Sequence, residues 1–407
     1  MEYREIGGIK TSLLGMGNMR LPVKGRVKKS IDRAKAQEII DYAMDHGVNY
    51  YDTAYVYHAG ESEDFLGEAL SKYPRDSYLL ATKYFMMATA NYEKVFEKQL
   101  RKLRTDHIDF YLIHNVMNAT GGRYLKSGAI EYFLEQQRLG RIGKLGFSNH
   151  SSVATLERFL SHHQWDFVQL QINFRDWVRG TAKGEYEAAC AHGVPVVVME
   201  PLRGGKLLKD GKLAQEAGAG NNGEGMVIPA DSLLHEAHPD WTLVDWAFRW
   251  LKTLDNVKCI LSGMGTLGQI EQNVGIFSDD IALSASDSAL LLQTISNNDD
   301  GTVPCTGCGY CIEGASCPSS IDIPYWMDVF NAQTLGQKSP ARDAWDARQE
   351  RVRVESDGVA EVDEAEATEE IEGMHDGAPG DCIRCNRCVQ VCPQSIAIPD
   401  TLEKINN

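Results

Sequence analysis

From residue 1 to about residue 280, short runs of apolar, β-branched and aromatic residues alternate with longer stretches whose apolar positions recur every three or four residues. Strands are predicted over Thr11–Gly17, Val48–Asp52, Ser77–Lys83, Ile108–His114, Ile142–Asn149, Phe167–Asn173, Val194–Pro201 and Val257–Met264. Helical patterns fall at Ala36–His46, Glu61–Ser71, Tyr92–Arg104, Gly128–Gly140, Ser151–Ser161, Lys183–His192, Leu243–Leu251 and Thr266–Phe277. Eight strands interleaved with eight helices predict an α/β fold, a closed (β/α)8 TIM barrel. The alternative, a doubly wound open sheet, calls for a Gly-x-Gly-x-x-Gly turn after the first strand, and none is there. Ahead of the barrel, Tyr3–Ile6 and Ile9–Ser12 flank Gly7-Gly8, the signature of a tight hairpin placed to plug the barrel floor.

The pattern breaks down near residue 300. NNDDG at 297–301 reads as a linker, and 203–240 is a polar, Gly-rich connection long enough to cover a site. Residues 354–372 hold nine acidic residues and no basic one, a solvated insertion. A barrel over 1–285 followed by a small domain over 286–407 is therefore expected. Of the 407 residues, 43% are hydrophobic and 24% charged, as in ordinary globular proteins. There is no apolar run of membrane-spanning length and no basic-then-apolar N-terminal signal, so neither membrane nor export is expected. A net charge of -16 argues against nucleic acid as a partner. Ten cysteines, eight of them in the last 103 residues, point to metal in a reducing cytoplasm rather than to disulfides. The other two, Cys190 and Cys259, have apolar neighbours and are expected to be buried.

Reactive groups of such barrels sit at the carboxyl ends of the strands. Asp52, Lys83 and His114 end the second, third and fourth predicted strands, and Tyr57 lies five residues past Asp52. A phenol with a pKa of about 10 becomes a useful acid when a cation lowers it. Lys83 supplies that cation and Asp52 holds it. His114 can orient a substrate oxygen, and Tyr57 is then the general acid for a carbonyl.

GVNYYDTAYVYHAGESEDFLGEAL at 47–70, with LLATKYF, DFYLIHN and GKLGFSNH, resembles the aldo-keto reductase superfamily over roughly residues 1–280. The resemblance implies catalytic roles for Asp52, Tyr57, Lys83 and His114, and hydride exchange between NADH or NADPH and a small-molecule carbonyl or alcohol substrate. It further implies cofactor contacts from Gly17 and Asn18 in the first-strand turn, Ser148, Asn149 and Gln169 at the nicotinamide carboxamide, and Met199 at the ring face. Leu202, Gly204 and Gly205 follow the seventh strand where backbone approaches pyrophosphate, and Gly263, Met264, Gln269 and Asn273 surround the adenosine end. Relatives that select NADPH carry cations where this chain has Gly263 and Gln269. NADH is therefore expected to serve at least as well, with Lys206 or Lys209 as alternative cations.

Cys305, Cys308, Cys311 and Cys317 follow C-x2-C-x2-C-x5-C-P; Cys382, Cys385, Cys388 and Cys392 follow C-x2-C-x2-C-x3-C-P, the bacterial ferredoxin run for 4Fe-4S clusters. Zinc, the competing reading, normally closes on two Cys pairs. CPSSIDIP at 317–324 and CPQSIAIP at 392–399 share six of eight residues, an internal repeat. The two-cluster rule assigns Cys305, Cys308, Cys311 and Cys392 to one cluster and Cys382, Cys385, Cys388 and Cys317 to the other. The whole chain thus resembles the iron-sulfur subgroup of aldo-keto reductases, and two functions follow. One is a nicotinamide-dependent carbonyl reductase with two 4Fe-4S clusters of structural, regulatory or electron-transfer role. The other is an electron-transfer module linking the barrel to an external redox partner protein. A non-catalytic redox sensor is a third class, disfavoured by the complete tetrad.

Overall fold

The computed structural model describes residues 1–24, 30–208, 231–297, 301–305, 310–313, 317–334, 342, 377–392, 394 and 396–406. Cys308, Lys209, the acidic stretch 354–372, the middle of the long connection and the side chain of Lys206 lie outside them. The chain divides into two compact units, Met1–Gly204 with Ala230–Ser296, and Gly205–Pro229 with Asn297–Asn407. Among the described residues no helix is long and apolar enough to cross a membrane.

The first unit is the barrel. An antiparallel hairpin of β1 (Tyr3–Ile6) and β2 (Ile9–Ser12) turns on Gly7 and Gly8, both at positive φ, as a two-residue turn of this twist demands. Eight parallel strands follow: β3 (Leu14–Gly17), β4 (Tyr50–Asp52), β5 (Leu79–Tyr84), β6 (Ile108–Val116), β7 (Ile142–Asn149), β8 (Phe167–Gln171), β9 (Val196–Met199) and β10 (Val257–Ser262). They close in sequence order, β10 pairing back onto β3 with Leu261 opposite Gly15. Each lies within its predicted segment or one or two residues beyond it. Polar N-caps start the outer helices, among them Asp32, Asn91, Ser152 and Thr266, whose side chains each accept a backbone N–H of the first turn.

Period-two alternation sends every second strand residue inward. Tyr50, Ala81, Phe110, Leu112, Phe167, Val197, Cys259 and Leu261 form the interior, and Ile6 of the hairpin packs among them, sealing the floor. Gly15 has to be glycine because a Cβ there would stand 2.7 Å from both Cys259 Sγ and Leu261 Cδ2.

Four features differ from the sequence reading. Cys190 is exposed, because Ala182, Glu185, Ala188 and Ala189 form the buried face of helix Ala182–Ala191 and position 190 falls outside that stripe. Of these two cysteines Cys259 alone is buried, inside the barrel. The connection at 203–240 is not all loop, for Asp231–Ala237 is helical. A short helix, Phe174–Arg179, directly follows β8, capped by Asn173. The amphipathic helix Ala285–Asn297 also went unread, and it belongs to the barrel unit as far as Ser296.

The second unit repeats one motif twice. Helices Tyr310–Glu313 and Arg387–Val391 carry Cys311 and Cys388, and the longer helices Ile323–Thr334 and Ile398–Asn406 begin inside the two copies of the repeat. The isoleucines of both copies, Ile321, Ile323, Ile396 and Ile398, share one core with Trp326 and Leu402.

Candidate active site and cysteine cavity

Two residues beyond the interior layer, the same inward parity leads from Tyr50 to Asp52, Ala81 to Lys83, Leu112 to His114, Phe167 to Gln169, Val197 to Met199 and Leu261 to Gly263. Tyr57 stands in the turn after β4. Lys83, wholly buried, donates from Nζ to Asp52 Oδ1 at 2.5 Å and to the Thr53 carbonyl at 2.7 Å, and its third reach is a long 3.5 Å contact with the Tyr57 hydroxyl. The His114 ring stands edge-on to Tyr57, centroids 5.9 Å apart, with Phe85 at 5.4 Å on another side. The four residues singled out from the sequence are gathered at one place.

Burial sets the electrostatics. It raises the Asp52 carboxyl above the usual range and lowers the Lys83 ammonium, each opposed by the partner's charge at contact distance. Burial also holds His114 well below its ordinary value, with the charge of Lys83 and the neighbouring His150 adding to it, so the imidazole is neutral near pH 7. His150, just past β7, is pushed down to about 4 by burial and then by Lys83. Behind Lys83, buried Glu63 accepts from Thr82 and Gln99, both at 2.7 Å, and Gln99 also donates to the Lys83 carbonyl at 3.0 Å. Tyr124 donates to the His114 carbonyl at 2.7 Å. These bonds fix the strand ends that carry the reactive groups.

The expected cofactor residues differ in what they have to offer. Gln169 Oε1 is buried with no hydrogen-bond partner, an acceptor open to an amide N–H. Ser148 Oγ accepts the Asn115 N–H at 2.8 Å, which leaves its own proton to donate. Asn149 is held by Ser151, whose hydroxyl donates to Oδ1 at 2.6 Å, and by Glu185 at 3.3 Å. Asn18 ties β3 to β4, its Nδ2 donating to the Asp52 carbonyl at 2.9 Å, while its Oδ1 is unpartnered. Gln269 accepts the Gly265 N–H at 2.8 Å, and Asn273 donates to Ser262 Oγ at 3.0 Å. Met199 and Leu202 are half-buried, and Met264 is wholly buried. At Gly17 a Cβ would come within 3.3 Å of the Ser262 carbonyl oxygen. The orphan acceptor of Gln169 and the free hydroxyl proton of Ser148 fit the carboxamide of a nicotinamide dinucleotide.

Residues 13–293 match the Aldo/keto reductase family. The chain belongs to that family. This aldo-keto reductase is 24% identical over 302 residues to the uncharacterized oxidoreductase YqkF of Bacillus subtilis (strain 168), covering 67% of this chain and 90% of the relative. It is 28% identical over 228 residues to a 6-dehydroglucose reductase of Novosphingobium aromaticivorans, covering 50% and 70%. Among solved structures it superposes on the holo form of aldo-keto reductase AKR11C1 from Bacillus halodurans with a TM-score of 0.58 and 26% identity, covering 72% of this chain and 96% of that one.

Residues 304–398 of this aldo-keto reductase match a 4Fe-4S dicluster domain. There a cavity is lined by Cys317, Cys382, Cys385 and Cys388, with Ile321, Ile323 and Leu402 supplying its apolar wall. Among the described residues no three His, Cys, Asp or Glu are placed to hold a single metal ion; these four thiols instead surround a space. Burial raises the Cys388 thiol to about 11, and the other three of the four add to the shift, so as thiolates they would repel one another without a cation between them. Cys305, Cys311 and Cys392 pack on the same small core.

Sequence reasoning passed over Arg20, Glu63, His150 and Glu185. Only His150 carried a sequence signal, its place directly after a strand end. The others act through contacts between segments distant in the chain.

Proposed function

We propose that this chain is a nicotinamide-dependent oxidoreductase that interconverts an aldehyde or ketone and its alcohol. The observation that carries the reading is the buried Lys83 ammonium bonded to Asp52 and reaching the Tyr57 hydroxyl, with a neutral imidazole edge-on beside the phenol. Bound NADH or NADPH supplies or accepts the hydride. Tyr57 gives the proton to the carbonyl oxygen, helped by the cation of Lys83, which Asp52 and the Thr53 carbonyl hold in place. Neutral His114 donates a hydrogen bond that orients the same oxygen. Gln169, Ser148 and Asn149 hold the carboxamide, and Met199 gives an apolar face to the ring. An anaerobic screen of carbonyl substrates with NADH and NADPH side by side tests the reading. Turnover with neither cofactor across aldehydes, ketones and their alcohols would refute it.

The second unit is read as holding two 4Fe-4S clusters, one on Cys382, Cys385, Cys388 and Cys317 and the other on Cys305, Cys308, Cys311 and Cys392. The cavity among the first four supports that assignment. Such clusters exchange single electrons, whereas a hydride carries two, so direct exchange calls for a mediator such as a flavin. Exposure of Cys385 favours a second reading, electron exchange with an external redox protein, because it brings one cluster corner to solvent. A flavin in the anaerobically purified protein would advance that reading.

A further inference from the structure

Arg20 lies in the turn after β3, and the sequence assigns it nothing. Its stem runs over Gly263 in the turn after β10: a Cβ on Gly263 would meet Arg20 Cβ, Cγ and Cδ at 3.2 to 3.3 Å. Its guanidinium reaches the turn after β9, where a Cβ on Gly204 would collide with Nη2. Gly204 has φ +65°, a conformation that keeps its backbone bare. Arg20 therefore spans the bare backbone of the seventh and eighth barrel-strand ends. It pairs with Glu200, Nη2 to Oε1 at 3.2 Å, with 41% of the arginine side chain exposed. Exposed pairs of this kind contribute little to stability. Glu200 Oε2 is buried without a hydrogen-bond partner, so the carboxylate is only half used. The nearby Arg203, beside Asp176 at 3.6 Å, also has Nε and Nη2 without hydrogen-bond partners, but its side chain is 4% exposed against 41% for Arg20.

We propose that Arg20 binds the diphosphate of the nicotinamide cofactor, and that Glu200 holds its guanidinium when the cofactor is away. The proposal rests on reading the barrel mouth as a dinucleotide site. A guanidinium presents two parallel N–H donors that match two phosphate oxygens, and exchanging one exposed carboxylate contact for such a pair is favourable. The diphosphate is chosen over the 2'-phosphate because the cationic end, not the stem, lies at Gly204, where the chain turns after β9. The cation thus comes from the start of the barrel sequence and serves a phosphate pair that NADH and NADPH share; it leaves the 2'-phosphate positions at Gly263 and Gln269 without a charge.

The test is equilibrium binding to the purified, cluster-loaded chain by tryptophan fluorescence quenching, using NADH, NADPH and ADP-ribose with wild type and Arg20→Gln. Hydrogen bonds to charged groups imply a loss of about 10- to 100-fold. The expected result is that loss, of similar size, for all three nucleotides. A loss confined to NADPH assigns Arg20 to the 2'-phosphate and overturns the proposal, as does unchanged binding of all three. Wild-type protein that binds none of them overturns the dinucleotide reading itself, and the proposal with it.

Discussion

Removing the Lys83 cation alone should cost more stability than removing the whole ion pair. In Lys83→Met the Asp52 carboxylate, with 3% of its side chain exposed, loses the ammonium 2.5 Å away, and its Oδ2 already lacks a hydrogen-bond partner. Breaking a buried pair from one side costs about 3–5 kcal/mol, a large share of a typical total of about 5–15 kcal/mol. Asp52→Leu combined with Lys83→Met removes both charges of the pair together, so neither is left buried alone. The remaining loss is the Thr53 carbonyl's donor, about 1 kcal/mol, so the double variant should fall within about 2 kcal/mol of wild type. The pH dependence has a definite sign. Asp52 already titrates above its ordinary value because it is buried, and loss of Lys83 raises it further. A carboxyl whose folded pKa exceeds its unfolded value favours folding while protonated. The Lys83→Met deficit should therefore be small at acid pH and grow as pH rises through that raised value. Urea unfolding at pH 5 and pH 8, followed by tryptophan fluorescence, measures both effects, with carbonyl reduction assayed in parallel. Both variants should be inactive, but only the single one strongly destabilised at pH 8. Equal destabilisation of the two, or a single-variant deficit that ignores pH, would refute the buried ion pair as drawn.

Tyr57→Phe should lower carbonyl turnover about 10²- to 10⁴-fold while nicotinamide affinity stays near wild type; near-normal turnover would remove Tyr57 from the acid role. NADH should bind at least as tightly as NADPH, since Gly263 and Gln269 present no cation, and a strong NADPH preference in the same titration would locate a 2'-phosphate clamp elsewhere. Anaerobically prepared protein should contain about eight iron and eight sulfide per chain, and zinc without sulfide would defeat the assignment. Cys388→Ser should lower that content and loosen the second unit, because the same residue is buried in its small core. The barrel has its own interior and should keep its thermal transition.

Strand ends and their order were legible because side-chain parity in a barrel is local: once Tyr50 and Ala81 point inward, Asp52 and Lys83 must as well. The hairpin was legible from Gly7-Gly8, and the repeat of the second unit from paired Cys-Pro-x-Ser-Ile runs. The exposure of Cys190 was misread because apolar neighbours in sequence say less than the face a helix presents. Arg20 was invisible because its meaning comes from Gly204 and Gly263, some 180 and 240 positions away, and those glycines matter for the side chain they lack. Glu63 looked like one more acid in a helix rich in them; only the packing of Gln99 and Thr82 around it shows a buried brace behind Lys83.

The seal formed by Ile6 bears on traffic through the reaction. A layer of buried, mostly apolar side chains lies between the floor and the tetrad and separates Tyr57 from solvent on that side. In the proposed cycle the phenol gives up a proton at each reduction and has to recover it before the next. That proton arrives through the doorway by which substrate enters and alcohol leaves. Resupply and product departure thus share one passage, and a bulky product that lingers there would also delay the recharging of the acid.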